Sequence, residues 1–143
     1  MPCIPIPQEG TEYGPTILIV DDEPALREIM ADTLAADGYR VANAVDGAQA
    51  LDHVRETRPD LIVLDLMLPV LDGWAFIAAY RELAEDEIPI IGVSANMTTG
   101  IAARLRNLGV RVCLAKPFEL DELIGCARRV LGSDAAVAMS GAP

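Results

Sequence analysis

The stretch Thr16-Ile17-Leu18-Ile19-Val20-Asp21-Asp22 joins an uncharged apolar run to two acidic residues. The run from Thr16 to Val20 is rich in β-branched residues, which predicts a strand buried on both faces. Pro24 suits the first turn of a helix, and Gly38 is a typical stop signal after one. The apolar residues between them recur at helical spacing: Leu26, Ile29, Met30 and Leu34. This part of the chain therefore predicts one strand followed by one helix.

Four further strand and helix pairs follow in the sequence. The predicted strands cover residues 39–45, 61–64, 89–93 and 110–115. Each is followed by an apolar stripe of helical spacing: Leu51 and Val54; Phe76, Ile77, Tyr80 and Leu83; Ile101, Leu105 and Leu108; and Leu120, Leu123, Ile124, Val130 and Leu131. Strands that alternate with helices in this way predict an α/β fold with a doubly wound, five-stranded parallel sheet.

A length of 143 residues fits one domain. Residues 1–15 contain many prolines and glycines and predict a flexible leader. Residues 133–143 are small and low in complexity and predict a flexible tail. The folded domain is therefore expected to cover residues 16–132.

Composition excludes several classes of function. The net charge is -11, which opposes binding to nucleic acid and to anionic membrane surfaces. Cys3, Cys113 and Cys126 have neither the number nor the spacing of a disulfide framework or a zinc site. No apolar run approaches the length of a membrane span or a signal peptide. We therefore expect a cytoplasmic protein without nucleic-acid or membrane partners of its own.

Polar residues follow four of the predicted strands. Asp21 and Asp22 come after the first strand, Asp65 after the third, Ser94 after the fourth and Lys116 after the fifth. Parallel sheets of this class bind ligands at the carboxyl ends of their strands. Three carboxylates placed together there suit a hard cation such as Mg²⁺, and a hydroxyl and an ammonium suit the oxygens of a transferring phosphoryl group.

Asp65 follows the most hydrophobic strand and is the best candidate for a nucleophile that forms an aspartyl phosphate. Asp21 and Asp22 would then hold the metal. Taken one at a time these residues have simpler interpretations, because acidic residues often cap helices and Asp is common in turns. The convergence of all of them at one edge of the sheet favours the chemical interpretation.

The motifs together resemble the receiver domain of bacterial two-component response regulators. The resemblance covers residues 16–131 and rests on Ile17-Leu18-Ile19-Val20-Asp21-Asp22-Glu23, Leu64-Asp65-Leu66-Met67-Leu68-Pro69 with Asp72-Gly73, Ser94-Ala95, and Lys116-Pro117-Phe118. It implies a flavodoxin-like (βα)5 fold with strand order 2-1-3-4-5.

The resemblance also implies the chemistry of the site. Asp65 would accept a phosphoryl group from a histidine kinase or a histidine phosphotransfer protein. Mg²⁺ would be held by Asp21, Asp22, Asp65 and the backbone carbonyl of Met67.

The same resemblance assigns roles around the phosphoryl group. Ser94 would bond one phosphoryl oxygen and Lys116 would pair with another. Ala95 would leave room for the group, and the peptide bond before Pro117 is expected to be cis. The family's switch position, three residues before the lysine, usually holds an aromatic residue or histidine, whereas this chain has Cys113.

The resemblance thus implies a signalling switch rather than an enzyme, although one that catalyses its own phosphorylation and dephosphorylation. The domain would be stand-alone or excised from a longer protein, and the downstream partner would bind the face from Ile101 to Leu131. A homodimer is a further alternative. Two rival functions stay open: a pseudo-receiver that binds partners without phosphorylation, and a Mg²⁺-dependent phosphatase with an aspartyl nucleophile. The phosphatase lacks support because Asp65-Leu66-Met67 does not form the usual D-x-D motif.

Overall fold

A computed structural model describes residues 14–83 and 88–132, and within these ranges the chain forms five strands and five helices. The strands are β1 (Thr16–Val20), β2 (Arg40–Ala44), β3 (Leu61–Asp65), β4 (Ile90–Ser94) and β5 (Val112–Ala115). All neighbouring strands pair in parallel, in the order β2-β1-β3-β4-β5. The predicted doubly wound α/β fold with this strand order is confirmed.

The helices are α1 (Pro24–Ala36), α2 (Gly47–Glu56), α3 (Gly73–Leu83), α4 (Thr99–Asn107) and α5 (Leu120–Val130). Each follows the strand of the same number. Residues 1–13 of the predicted leader and the whole predicted tail lie outside the described residues. No described helix has the length and hydropathy needed to cross a membrane.

The core has two halves, one on each face of the sheet. Side chains of successive strand residues point to opposite faces, so β1 and β3 contribute to both halves. Leu18 and Leu64 pack with the buried residues of α2, α3 and α4, whereas Ile17 and Val63 pack with those of α1 and α5. Because helices cover both faces, the central strands are buried along nearly their whole length, as their uncharged apolar runs predict.

The ends of several elements differ from the sequence-based expectation. Ser94 and Asp65 are the last residues of their strands rather than the first residues beyond them. Strand β5 begins at Val112 instead of Val110, and Leu108 is the C-cap of α4 rather than part of it. At Asp65 and Ser94 strand pairing continues one residue past the apolar run, whereas at β5 the apolar run begins two residues before the strand. Hydrophobicity alone therefore places these ends one or two residues off.

Two residues of the predicted apolar stripes are exposed. Ile29 on α1 is 47% exposed, and Leu83 at the end of α3 is 43% exposed. Met30 and Leu34 carry the buried contacts of α1 instead. The apolar period identifies each helix correctly. It does not fix the rotation of the helix about its axis, so a residue at the edge of the apolar stripe, such as Ile29, can face solvent.

Gly73 connects the beginning of α3 to the end of β3. Its N–H donates to the carbonyl oxygen of Leu66 at 3.0 Å. A Cβ atom at this position would lie 2.7 Å from Leu66 Cα and 2.8 Å from the carbonyl oxygen of Asp65. Only a residue without a side chain lets the helix approach the backbone of Asp65 and Leu66 this closely.

We expect Gly73→Ala to lower the free energy of unfolding by roughly 1–3 kcal/mol, because the new methyl group meets backbone atoms that cannot move aside easily. Urea unfolding followed by the fluorescence of Trp74, the only tryptophan of the chain, measures the change. Gly125→Ala in α5 is the matched control, since a Cβ there has no neighbour within 4 Å. The control should gain about 0.5–1 kcal/mol from helix propensity. Equal stability of the Gly73 variant and the parent would contradict the close approach.

Candidate functional site

The site lies where the strand order reverses, at the carboxyl ends of β1 and β3. Asp21 follows β1 directly and Asp65 is the last residue of β3. Asp21, Asp22 and Asp65 each offer a carboxylate oxygen, and these oxygens all lie within 4.8 Å of one another. Ligand sites of doubly wound sheets form at such a switch point. The structure therefore brings together the three carboxylates that the sequence singled out.

Lys116 reaches the same point from the end of β5. Its Nζ atom lies 2.9 Å from Asp65 Oδ2 and 3.2 Å from Asp21 Oδ2. Its backbone N–H donates to the carbonyl oxygen of Ser94 at 3.0 Å, which continues the β4–β5 pairing by one residue. The peptide bond from Lys116 to Pro117 is cis. One ammonium group thus bridges carboxylates from two strands.

Backbone N–H groups hold the other oxygen of each buried carboxylate. The N–H of Glu23 donates to Asp21 Oδ1 at 2.9 Å, and the N–H of Met67 donates to Asp65 Oδ1 at 2.9 Å. Both bonds span two residues, as in turns in which an Asp side chain accepts from the chain beyond it. The simpler interpretation of Asp65 as a turn residue is therefore also correct, and it is compatible with a chemical role. The interpretation of Asp21 and Asp22 as caps of α1 is wrong, because the N-cap of this helix is Glu23.

Burial dominates the electrostatics of the site. Asp21 is 1% exposed and Asp65 is 4% exposed. Burial raises the pKa of Asp21 above its usual value, against the lowering effects of the Glu23 N–H and of Lys116. Burial alone would lower the pKa of Lys116, but its hydrogen bonds and charge pairing with Asp65 and Asp21 outweigh this and raise it. Lys116 is therefore a protonated cation beside the Asp21 carboxylate, which burial makes costly to ionise.

Ser94 and Ala95 occupy the end of the neighbouring strand β4. Ser94 is buried, and its Oγ accepts a hydrogen bond from the N–H of Asn96 at 3.1 Å. Ala95 is exposed and lines a pocket of about 360 Å³ beside Lys116, Pro117 and Phe118. Both residues therefore lie at the carboxyl edge of the sheet, where the acidic cluster also lies.

Cys113 lies on β5, three residues before Lys116. It is half-buried and packs against the half of the core that α2, α3 and α4 cover. Burial raises the pKa of its thiol, with a smaller opposing effect from the charge of Arg106. The residue that the sequence resemblance places at the switch position is therefore a small, mostly protonated side chain.

The donor set fits Mg²⁺. Asp21, Asp22 and Asp65 supply only oxygen atoms, which are the ligands that this hard cation prefers. Asp22 is exposed, so the cluster opens to solvent on one side and leaves room for the water ligands that Mg²⁺ retains. Met67 adjoins the cluster through its N–H bond to Asp65, and its side chain is exposed.

Two charged residues that the sequence analysis did not assign to the site also belong to it. Glu23 Oε1 lies 4.0 Å from Lys116 Nζ. Arg27 Nη1 donates to the backbone carbonyl oxygen of Asp21 at 2.7 Å. Glu23 directly follows Asp21 and Asp22 in the sequence, so its place beside the acidic cluster could have been predicted. Nothing in the sequence indicates the Arg27 contact, because it depends on how the chain turns between β1 and α1.

A family model described as "Response regulator receiver domain" matches residues 17–128. The chain belongs to this family. Its receiver fold and its membership of two-component signalling proteins follow from that match, as the sequence resemblance predicts.

Individual relatives agree with the family model. The chain is 35% identical over 127 residues to the transcriptional regulatory protein PrrA of Mycobacterium leprae, which covers 89% of this chain and 54% of that protein. It is 38% identical over 115 residues to the response regulator MprA of a Mycobacterium species, which covers 80% of this chain and 50% of that protein. The chain therefore spans about half the length of these curated relatives.

Solved receiver structures have the same architecture. The chemotaxis protein CheY4 of Vibrio cholerae superposes with a TM-score of 0.78 at 30% identity, covering 83% of this chain and all of that one. The receiver domain of the sensor histidine kinase PA1611 from Pseudomonas aeruginosa PAO1 gives a TM-score of 0.75 at 35% identity, covering 84% and 99%. The PA1611 structure has a magnesium ion coordinated in its active site cleft.

We expect Mg²⁺ to raise the melting temperature of the receiver by several degrees, because a ligand at 100 times its Kd stabilises the native state by about 2.7 kcal/mol. Asp22→Asn should lose most of this rise, since it removes one of three carboxylates. Asp32→Asn on the exposed side of α1 changes the net charge equally and should keep the rise. Calorimetric melting with and without Mg²⁺ measures both. An equal rise in the two variants would show that the acidic cluster does not hold the metal.

Proposed function

We propose that Asp65 is the phosphoacceptor of this receiver and that phosphorylation there controls the binding of a partner. The observation that carries the proposal is the contact of Lys116 Nζ with Asp65 Oδ2 at 2.9 Å, inside a cluster of three carboxylates. A carboxylate with a fixed cation on one side and metal-binding oxygens on the other can receive a phosphoryl group without building up uncompensated negative charge.

The donor would be a phosphohistidine of a histidine kinase or of a histidine phosphotransfer protein. An oxygen of Asp65 attacks the phosphorus atom, the new P–O bond forms, and the P–N bond to the imidazole breaks with its electron pair leaving on nitrogen. The product is an acyl phosphate on Asp65 and a histidine that takes up a proton. Mg²⁺, when bound, neutralises charge on the phosphoryl oxygens.

The chain's own residues would then hold the phosphoryl group. Lys116 stays protonated beside Asp65 and can pair with one phosphoryl oxygen. Ser94 can donate its hydroxyl proton to another, since its Oγ uses only its accepting capacity in the bond from Asn96. Ala95 at the rim presents no long side chain that would block the group. The Met67 backbone carbonyl completes the proposed metal ligands.

The output would pass through the face from Ile101 to Leu131, which includes α4, β5 and α5. Arg104 on α4 lies 4.4 Å from the ring centroid of Trp74 on α3, and Arg106 lies close enough to Cys113 to affect its thiol. A downstream protein, or a second copy of this chain, would read a change in this face. We propose that the protein acts in the cytoplasm, without binding nucleic acid or membranes by itself.

Incubation with Mg²⁺ and a small acyl phosphate should add one phosphoryl group to the intact protein, because receivers with this site catalyse the transfer themselves. Asp65→Asn should remain unlabelled. Asp32→Asn should be labelled like the parent, and removal of Mg²⁺ should prevent labelling. Intact mass spectrometry measures all four samples.

The other outcomes separate the rival functions. Labelling of Asp65→Asn would place the acceptor elsewhere and overturn the assignment. No labelling of the parent, beside a receiver that labels under the same conditions, would favour the pseudo-receiver. Sustained turnover of a free phosphomonoester, lost in Asp65→Asn, would favour the phosphatase.

A further inference from the structure

Asp22 is the least supported member of the acidic cluster. Asp21 and Asp65 are buried and their carboxylates accept bonds from backbone N–H groups and from Lys116. Asp22 is exposed, and its carboxylate makes no hydrogen bond or ion pair within the residues that the structure describes. Its place in the cluster therefore depends on its backbone.

The peptide unit between Asp21 and Asp22 sets that backbone. The N–H of Asp21 donates to the carbonyl oxygen of Ala44 at 3.1 Å, which continues the pairing of β1 with β2. The carbonyl oxygen of Asp21 belongs to the next peptide plane, which also contains the nitrogen of Asp22. Arg27 Nη1 donates to this carbonyl at 2.7 Å. A bond to that oxygen limits rotation of the plane, and thereby fixes the direction in which Asp22 leaves the strand.

Arg27 is well anchored for this task. Its backbone N–H donates to the carbonyl oxygen of Glu23 at 2.9 Å, which closes the first turn of α1. Its side chain is half-buried and reaches back six residues along the chain. A guanidinium bond to a carbonyl is charge-assisted, and such bonds are stronger than those between neutral groups.

We infer that Arg27 is a positioning residue that orients Asp22 for Mg²⁺ through the carbonyl of Asp21. The inference rests on the proposed Mg²⁺ site. Residues that orient metal ligands without touching the metal typically contribute 10–100-fold to affinity. Arg27→Met should therefore weaken Mg²⁺ binding by about tenfold.

If Arg27 acted only through its charge, the change in Mg²⁺ affinity would have the opposite sign. A cation close to the acidic cluster repels Mg²⁺, so its removal would tighten binding. A residue that serves only the fold would change the melting temperature and leave the Kd unchanged. The direction of the change in Kd thus separates positioning from both alternatives.

The experiment is a Mg²⁺ titration by isothermal calorimetry on the wild-type protein and on Arg27→Met, Arg27→Gln, Arg27→Lys and Arg55→Met, with melting curves in metal-free buffer as a check on folding. Arg55 lies exposed on α2 in a surface ion pair with Asp52 and serves as the control. We expect Arg27→Met and Arg27→Gln to weaken binding about equally. Arg27→Lys should bind Mg²⁺ more like the wild type, since an ammonium group keeps hydrogen-bond donors and the charge. Arg55→Met should match the wild type.

Unchanged or tighter binding in both neutral variants of Arg27 overturns the inference. If Arg27→Met does not fold, the Kd of Arg27→Gln alone decides. Gln is also neutral, and its polar side chain suits a half-buried position at the start of the helix. Failure of the wild-type protein to bind Mg²⁺ would overturn the proposed metal site itself, a result that is distinct from equal binding by all five proteins.

Discussion

The ammonium group of Lys116 between Asp21 and Asp65 is the interaction on which the site depends. A buried carboxylate without a partner is costly to ionise, and here two of them end neighbouring strands of the same sheet. Lys116 compensates both from a strand that pairs with neither β1 nor β3. The end of β5, the end of β3 and the end of β1 are thereby held at one point, and the buried carboxylates can coexist there.

The positive charge of Lys116 does not balance the negative charges of the acidic cluster. One ammonium faces three carboxylates, and burial raises the pKa of Asp21, so ionising that carboxylate has a cost. A divalent cation would remove that cost, and the cation with the phosphoryl group would restore balance around Lys116.

The sequence was sufficient to predict the order of the elements and the members of the cluster. Buried parallel strands have uncharged apolar sequences, as from Leu61 to Leu64. The carboxyl ends of such strands lie at one edge of the sheet, whatever the details of side-chain packing. Asp21, Asp65 and Lys116 could therefore be brought together by topology alone. The exposure of Ile29 could not be foreseen, because periodicity does not fix the rotation of a helix about its axis.

Contacts made by long side chains between elements were also beyond prediction. The bond from Arg27 to the carbonyl of Asp21 and the stacking of Arg104 on Trp74 depend on exact loop and helix positions, and both residues look like ordinary surface charges in the sequence. Ser94 was placed beyond its strand although it ends it, because hydrogen-bonded pairing, and not hydrophobicity, decides where a strand stops. The carboxylates and the lysine of the cluster were predictable from the sequence, whereas the contact that Arg27 makes with the backbone of Asp21 was not.

A crystal structure of the protein with Mg²⁺ and beryllofluoride, a stable mimic of a phosphoryl group on a carboxylate, tests the assignment of the site most directly. We predict that beryllium will be bonded to an oxygen of Asp65, with fluorine atoms within hydrogen-bond distance of Lys116 Nζ and Ser94 Oγ. Mg²⁺ should be held by Asp21, Asp22, Asp65 and the Met67 carbonyl. Beryllofluoride on another residue, or a metal bound away from this cluster, would contradict the assignment.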